Sequence, residues 1–324
     1  MSSRSVLSSS ILATSLATSL LVGCTDAEPK TGPYRVVSTI ELPSGAIPQR
    51  QLDEITQPLR DFGTAPGPAL IDYAELGGVE QVRALRSGIP LVLASRLEGW
   101  ISLEIAKAQV DGKPLAEYFA AMKMVGGAEL AKLNVESALD EVARTHQITG
   151  LDLGTAGLDV RVPFESVAGD NLMQQPEITI AADGSLSLGE QRFGLAYGTH
   201  AWDGIDAAST AMYGDTVRGT LGTSINCPAL ASAVSKQCVL DVCVGHEADL
   251  LAVCEGGLDK LVAFTREKFG TIVVEELHFT KGDARLVDDD GDGVNDRIED
   301  GVWQAELNLG LGPSTVTAKF VGSR

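Results

Sequence analysis

Apolar positions recur with a helical period through much of the first half of the chain and with a two-residue period towards its end. From Ile89 to Val110, Leu93, Leu97, Ile101 and Ile105 fall four apart, and Trp100 and Ala108 widen the stripe. Pro90 stands near the start of that helix, where a missing N–H is harmless. A second helix is predicted from Pro114, with Leu115, Tyr118, Phe119 and Met122 on one side, and Gly126-Gly127 is expected to end it. A third, from Ala128 to Arg144, loosely aligns Leu130, Leu133 and Val142 with Leu139 beside them. Leu52 to His146 therefore reads as mostly helical, and its apolar stripes read as core rather than as a lipid slot.

After Gly150 the texture changes to short strands and glycine turns. Leu158, Val160 and Val162 alternate with Asp159 and Arg161, the pattern of a half-buried strand. Ile178 and Ile180 join Leu186 and Leu188 through Ala181-Ala182-Asp183-Gly184, a hairpin signal. Residues 189–224, rich in Gly, Ala, Ser and Thr, carry no clear period. Near the end Trp303, Ala305, Leu307 and Leu309 face one way against Gln304, Glu306 and Asn308. Gly310 to Ser314 turns the chain, and Val316, Ala318 and Phe320 mirror the pattern.

The fold class is α+β: a helical N-terminal half and an antiparallel β C-terminal half that carries a disulfide-stapled helical hairpin. The expected organisation is a signal peptide over 1–23, a tether over 24–33 and a mainly helical region over 34–150. A β-rich region over 151–226, a stapled helical segment over 227–272 and a β-hairpin with an acidic loop over 273–324 follow. Residues 34–324 are read as one globular unit.

Residues 1–23 carry one charge, Arg4, followed by an uncharged stretch from Ser5 to Gly23 that is short and serine-rich for a membrane span. It ends in Leu21-Val22-Gly23-Cys24, which resembles the lipobox of bacterial lipoproteins. That resemblance implies cleavage before Cys24, a diacylglycerol on its thiol and an acyl chain on the new amino group, hence firm anchoring, since each buried methylene contributes about 0.8 kcal/mol. The only partner read from the sequence is thus a membrane, through the lipid. Thr25 to Pro33 suits a short solvated tether. An Asp directly after the cysteine often marks inner-membrane retention in that family. Here that position is Thr25, with Asp26 one later, so the outer membrane is expected.

Of 324 residues, 25 are basic and 44 acidic, a net charge of −19. Without residues 1–23 the chain keeps 24 basic residues and a charge of −20. Such an excess argues against nucleic acid and favours cations.

Cys227, Cys238, Cys243 and Cys254 are separated by 11, 5 and 11 residues. Eleven residues return a helix to within roughly 20° of the same face. Pro228 suits a helix start and Gly256-Gly257 a helix end. Two antiparallel helices joined near Val239 to Val242 would pair Cys227 with Cys254 and Cys238 with Cys243. Pairing Cys227 with Cys238 along one helix would ask a bond to span about 16 Å. The geometry is similar to twin-cysteine CHCH hairpins, although the spacing here is C-x10-C. The C-x2-C spacing usual for zinc is absent.

Residues 288–299 read Asp-Asp-Asp-Gly-Asp-Gly-Val-Asn-Asp-Arg-Ile-Glu. Asp288, Asp290, Asp292, Asp296 and Glu299 fall at positions 1, 3, 5, 9 and 12, with Gly293 at the sharp turn and the Val294 carbonyl at position 7. The loop resembles those of EF-hands, dockerins and thrombospondin type 3 repeats, which implies one bound Ca²⁺. It departs from EF-hands in having Asn295 at position 8 and strand-like flanks, so a lone calcium loop between two strands is expected. Asp288 to Asp300 holds seven acids against Arg297, a local charge of −6.

No catalytic constellation emerges. His246-Glu247 begins a zincin-like pair, but Leu250 stands where the second histidine belongs. G-x-S-x-G and S-x-x-K patterns are absent. His278 fits the polar face of a strand, and His200-Ala201-Trp202-Asp203 reads as a turn. The expected function is therefore a non-enzymatic, calcium-stabilised envelope lipoprotein that binds or scaffolds. A carrier of lipid or another apolar ligand and a hydrolase with dispersed catalytic residues are the alternatives.

Overall fold

A computed structural model describes residues 32–43, 45–129, 132–152, 161–163, 170–310 and 312–324. The lipobox with Cys24, and Leu158 and Val160 of the expected strand, lie outside the described residues.

The chain opens with strand β1 (Tyr34–Glu41), then helices α1 (Gln49–Thr64), α2 (Pro66–Leu76), α3 (Glu80–Gly88) and α4 (Leu91–Ile105). The small ribbon of β2 (Gln109–Val110) and β3 (Lys113–Pro114) leads to α5 (Leu115–Glu129). Strands β4 (Lys132–Asp140), β5 (Thr145–Asp152), β6 (Arg161–Pro163), β7 (Met173–Gln174), β8 (Ile178–Ile180), β9 (Ser185–Leu188) and β10 (Gln191–Leu195) follow. Next come α6 (Tyr197–Tyr213), α7 (Val217–Ile225), α8 (Cys227–Ser235), β11 (Cys238–Val239), β12 (Val242–Cys243) and α9 (Glu247–Phe269). Long strands β13 (Val274–Val287), β14 (Arg297–Asn308) and β15 (Pro313–Ser323) complete the fold.

The architecture is α+β, with an antiparallel sheet in the order β6-β5-β4-β1-β15-β14-β13-β9-β8. Strand β10 adds to β13 and β7 to β5. The sheet curls until its ends meet on one segment. Residues 170–174 pair with β5 through His146↔Gln174 and Gln147↔Met173, while Gly194 of β10 donates its N–H to the Asp170 carbonyl at 2.9 Å. The result is barrel-like, and its interior is filled. Trp303 stacks between Phe279 and Phe320, with centroids at 4.5 and 4.7 Å, and His146 lies parallel to it at 5.8 Å.

Among the described residues every helical excursion joins the barrel at one end: β1 leaves for α1, α5 enters β4, β10 leaves for α6, and α9 enters β13. Helix α9 is the hub of the helical layer, touching α1, α2, α3, α6, α7 and α8. Gly257 permits the approach of α2, since a Cβ there would run into the Leu70 carbonyl. Glu247 and Asp249 in its first turn and Arg266 and Lys268 in its last complement the helix dipole. The buried side chains of helices and barrel form one continuous core.

Several sequence expectations are corrected. The helix predicted over Ala128–Arg144 is absent: β4 occupies Lys132–Asp140, a turn follows, and β5 begins at Thr145. Leu133, Val135, Ser137 and Leu139 alternate inward, and pairing with β1 and β5 on both edges overrides the helical propensity of the Leu, Ala and Glu residues. Gly126-Gly127 does not end α5, which runs to Glu129; Gly126 faces Ile205, and a Cβ would crowd that side chain at 3.1 Å. The helix expected over Ile89–Val110 stops at Ile105, and Gln109–Val110 forms β2. The β-rich texture expected over 151–226 ends at Leu195, and α6 and α7 occupy the stretch of small residues beyond it.

The disulfides join Cys227 to Cys254 and Cys238 to Cys243, the pairing read from the spacing. The local structure differs from two cysteine-bearing helices. Cys227 opens α8 and Cys254 lies within α9, but Cys238 and Cys243 face each other across the β11–β12 hairpin.

Candidate metal centre

The acidic loop joins β13 to β14 at the barrel end remote from the helices. Four of its carboxylates, those of Asp288, Asp290, Asp292 and Asp296, accept backbone N–H groups and so shape the loop itself. Asp288 accepts N–H bonds from Gly291 at 2.7 Å and Gly293 at 2.9 Å. These backbone donors, Gly293 foremost, hold its carboxyl below the usual aspartate range. Asp290 accepts from the Asp292 N–H at 3.2 Å, and Asp292 from the Val294 N–H at 2.7 Å. Gly291 and Gly293 have φ of +77° and +89°, which a side chain would strain. Asp296, only 4% exposed, accepts the Asp289 N–H at 2.9 Å.

Three carboxylates converge. Oxygens of Asp288, Asp290 and Asp296 all lie within 4.8 Å of one another. Hard oxygen donors at that spacing could hold a metal ion; calcium accepts six to eight of them at about 2.3–2.6 Å. Asp292 and Glu299, also read as ligands, are not part of this group; the Asp292 carboxylate caps the turn at Val294. Glu299 stands on β14, paired directly with Arg285 of β13, and its carboxylate meets Arg285 at 3.1 Å and Arg297 at 2.7 Å. An EF-hand delivers its twelfth residue from a helix that turns back over the ion. Here the chain leaves as a strand, and pairing sets Glu299 on the sheet surface.

The sequence reading missed the role of Arg297. It forks onto Asp289 at 2.5 and 2.6 Å, which with Glu299 raises its own pKa and offsets part of the loop's charge. Its being the only base among seven acids was the available signal.

The loop is fastened to both ends of the barrel chain. The Asp296 N–H donates to the Val287 carbonyl at 2.8 Å, the Arg324 N–H to the Asp296 carbonyl at 3.0 Å, and the Tyr34 hydroxyl to the Asn295 carbonyl at 3.1 Å. Burial, then the nearby Glu141 carboxylate, pushes the Tyr34 phenol up to about 12.

The histidines take structural places. His146 is buried in the barrel, donating from Nδ1 to Gln191 Oε1 at 2.5 Å and accepting from the Ser137 hydroxyl at Nε2, 2.8 Å away. His200, read as part of a turn, lies fully buried within α6. His278 sits on β13 between Glu190 and Glu306, and His246 contacts Asp249 at the start of α9. A groove of about 810 Å³ opens between α1, α2 and α9, with Tyr73 and Phe264 on its floor and Asp61, Asp72 and Lys268 at its rim. A smaller one of about 300 Å³ lies among α2, α3, α4 and α9.

Comparison with protein-family models, with curated proteins and with solved structures yields no match.

Proposed function

We propose that this chain is a calcium-stabilised lipoprotein of the bacterial envelope, anchored through Cys24, that serves as a non-enzymatic binding or scaffold component. The observation that carries the reading is the convergence of Asp288, Asp290 and Asp296 in a loop that also fastens β1 and β15. A cation there offsets the mutual repulsion of the carboxylates and stiffens the barrel end. The filled barrel interior and the open, charge-rimmed groove support a scaffold over a carrier of apolar ligands. On this reading the loop end faces the membrane, because β1 begins beside the loop and the nine residues from Thr25 to Pro33 span at most about 30 Å.

Two experiments test it. Millimolar calcium raises the melting temperature and EDTA lowers it, and Asp290→Ala abolishes the difference; a single site of this kind binds with Kd on the order of 10⁻⁴–10⁻³ M. Identical melting of the wild type in calcium and in EDTA overturns the metal assignment. Cys24→Ser accumulates full-length precursor that takes up no labelled fatty acid, and normal labelling of that variant overturns the anchor.

A further inference from the structure

The two disulfides occupy opposite environments. Cys227 and Cys254 are 4% and 0% exposed and belong to the continuous core, whereas Cys238 and Cys243 are both exposed. The exposed bond closes a four-residue gap across the two-residue ladder Cys238↔Cys243 and Val239↔Val242. The turn it closes holds Leu240 at φ +50° and Asp241 at φ +67°. A left-handed conformation suits Asn or Gly and strains a leucine. Nor does packing reward Leu240 for adopting it, because that side chain is 88% exposed.

We propose that Cys238–Cys243 is a thiol-exchange site, opened and closed by dithiol reductants and disulfide oxidants, while Cys227–Cys254 remains the structural staple. A thiolate of the reductant attacks the sulfur of Cys238 or Cys243, breaking the S–S bond and forming a mixed disulfide, and the other sulfur leaves as a thiolate that takes up a proton. The second thiolate of the reductant then attacks its own sulfur in the mixed disulfide and releases the remaining cysteine as a thiol. Two electrons and two protons pass to the protein, and the reductant leaves as a disulfide. Exposure admits the in-line attack that burial denies at Cys227–Cys254.

Opening relieves Leu240 and Asp241 of their left-handed backbone. The change stays local. Below the ladder, Val244 N–H bonds to the Gln237 carbonyl and Gly245 N–H to the Ser235 carbonyl, both at 2.9 Å, and the buried disulfide still ties α8 to α9. The segment from Cys238 to Cys243 thus relaxes on an intact scaffold, so the step is reversible.

The test is to equilibrate the folded protein in dithiothreitol redox buffers, alkylate it, and locate the labels by mass spectrometry. Cys238 and Cys243 become labelled at reductant levels about tenfold or more below those needed for Cys227 and Cys254, with the thermal transition still present. Joint labelling of all four cysteines, or earlier labelling of the buried pair, overturns the proposal. Leu240→Asn keeps both cysteines and suits the left-handed turn, so it shifts the midpoint severalfold towards stronger reductant. An unchanged or lowered midpoint in that variant overturns the contribution of the turn.

Discussion

Tyr34 donates its hydroxyl hydrogen to the carbonyl of Asn295, 3.1 Å away and 261 residues later in the chain. The guanidinium of Arg324 lies over the same phenol ring, 4.2 Å from its centre, and reaches Glu141 at 2.5 Å. The start of β1, the turn after β4 and the end of β15 therefore meet where the acidic loop returns to the sheet.

Removing that hydroxyl tests whether the loop depends on the contact. Tyr34→Phe keeps the ring under Arg324 and deletes the bond to Asn295. Chemical denaturation should show a loss of about 1 kcal/mol, and the rise in melting temperature proposed for calcium should shrink. An unchanged calcium response would mean that the loop holds its shape without the hydrogen bond from Tyr34.

Glu299 offers a sharper discrimination, because the sequence assigns it to the metal and the structure to Arg285 and Arg297. With the carboxylate on the sheet surface, Glu299→Gln should keep a calcium-dependent melting shift close to that of the wild type, while Asp288→Asn should lose it. Loss of the shift in Glu299→Gln would show that the strand end rearranges to deliver a fourth carboxylate.

The same contrast marks what was legible in the sequence. Strict alternation around Trp303 and Phe320 gave the last two strands, because one face of each is buried and the period is uninterrupted. The D-x-D-x-D-G spacing located the loop, but it could not show that strand exit would withdraw Glu299. Cysteine spacing pointed to the observed pairing although only Cys227 and Cys254 lie on helices, since closing a short hairpin also joins the two inner cysteines. Strand β4 escaped because Leu130, Leu133 and Val142 also satisfy a loose helical count, and only its partners β1 and β5 decide between the periods. Helix α6 escaped because Gly, Ala, Ser and Thr carry little periodic contrast, yet their small size lets its first turn sit on the end of α9, where a Cβ on Gly198 would meet the Phe269 carbonyl.

His146 makes the barrel sensitive to acid. Burial lowers its pKa from 6.5 to about 4, with the hydrogen bond to Gln191 opposing the shift in part. The folded state therefore binds the proton less readily than the unfolded chain. The stability this group confers is fully present above pH 6.5 and is lost as pH falls towards 4, about 3 kcal/mol in all. His200, also lowered by burial to about 4, acts in the same direction. In urea titrations between pH 7 and 4, His146→Gln should flatten the decline without abolishing it. A parallel decline in wild type and variant would place the acid sensitivity elsewhere.

The filled interior can be tested through Gly282 and Trp303, which face each other in the β13–β14 register. Trp303 is 0% exposed, donates from its indole nitrogen to Ser38 Oγ at 3.2 Å, and is held between Phe279 and Phe320. A Cβ on Gly282 would run into its six-membered ring. Gly282→Ala should thus overpack the barrel at a cost of about 1–3 kcal/mol. Trp303→Leu removes the ring, leaves a cavity and an unpaired Ser38 hydroxyl, and should cost about 3–5 kcal/mol. The two changes compensate in shape, because leucine vacates the volume into which the alanine methyl intrudes. The double variant should therefore be less destabilised than the two losses added together, with a coupling of about 0.5–3 kcal/mol. Strict additivity in denaturant midpoints at constant m would show that Gly282 is not the platform on which the tryptophan rests.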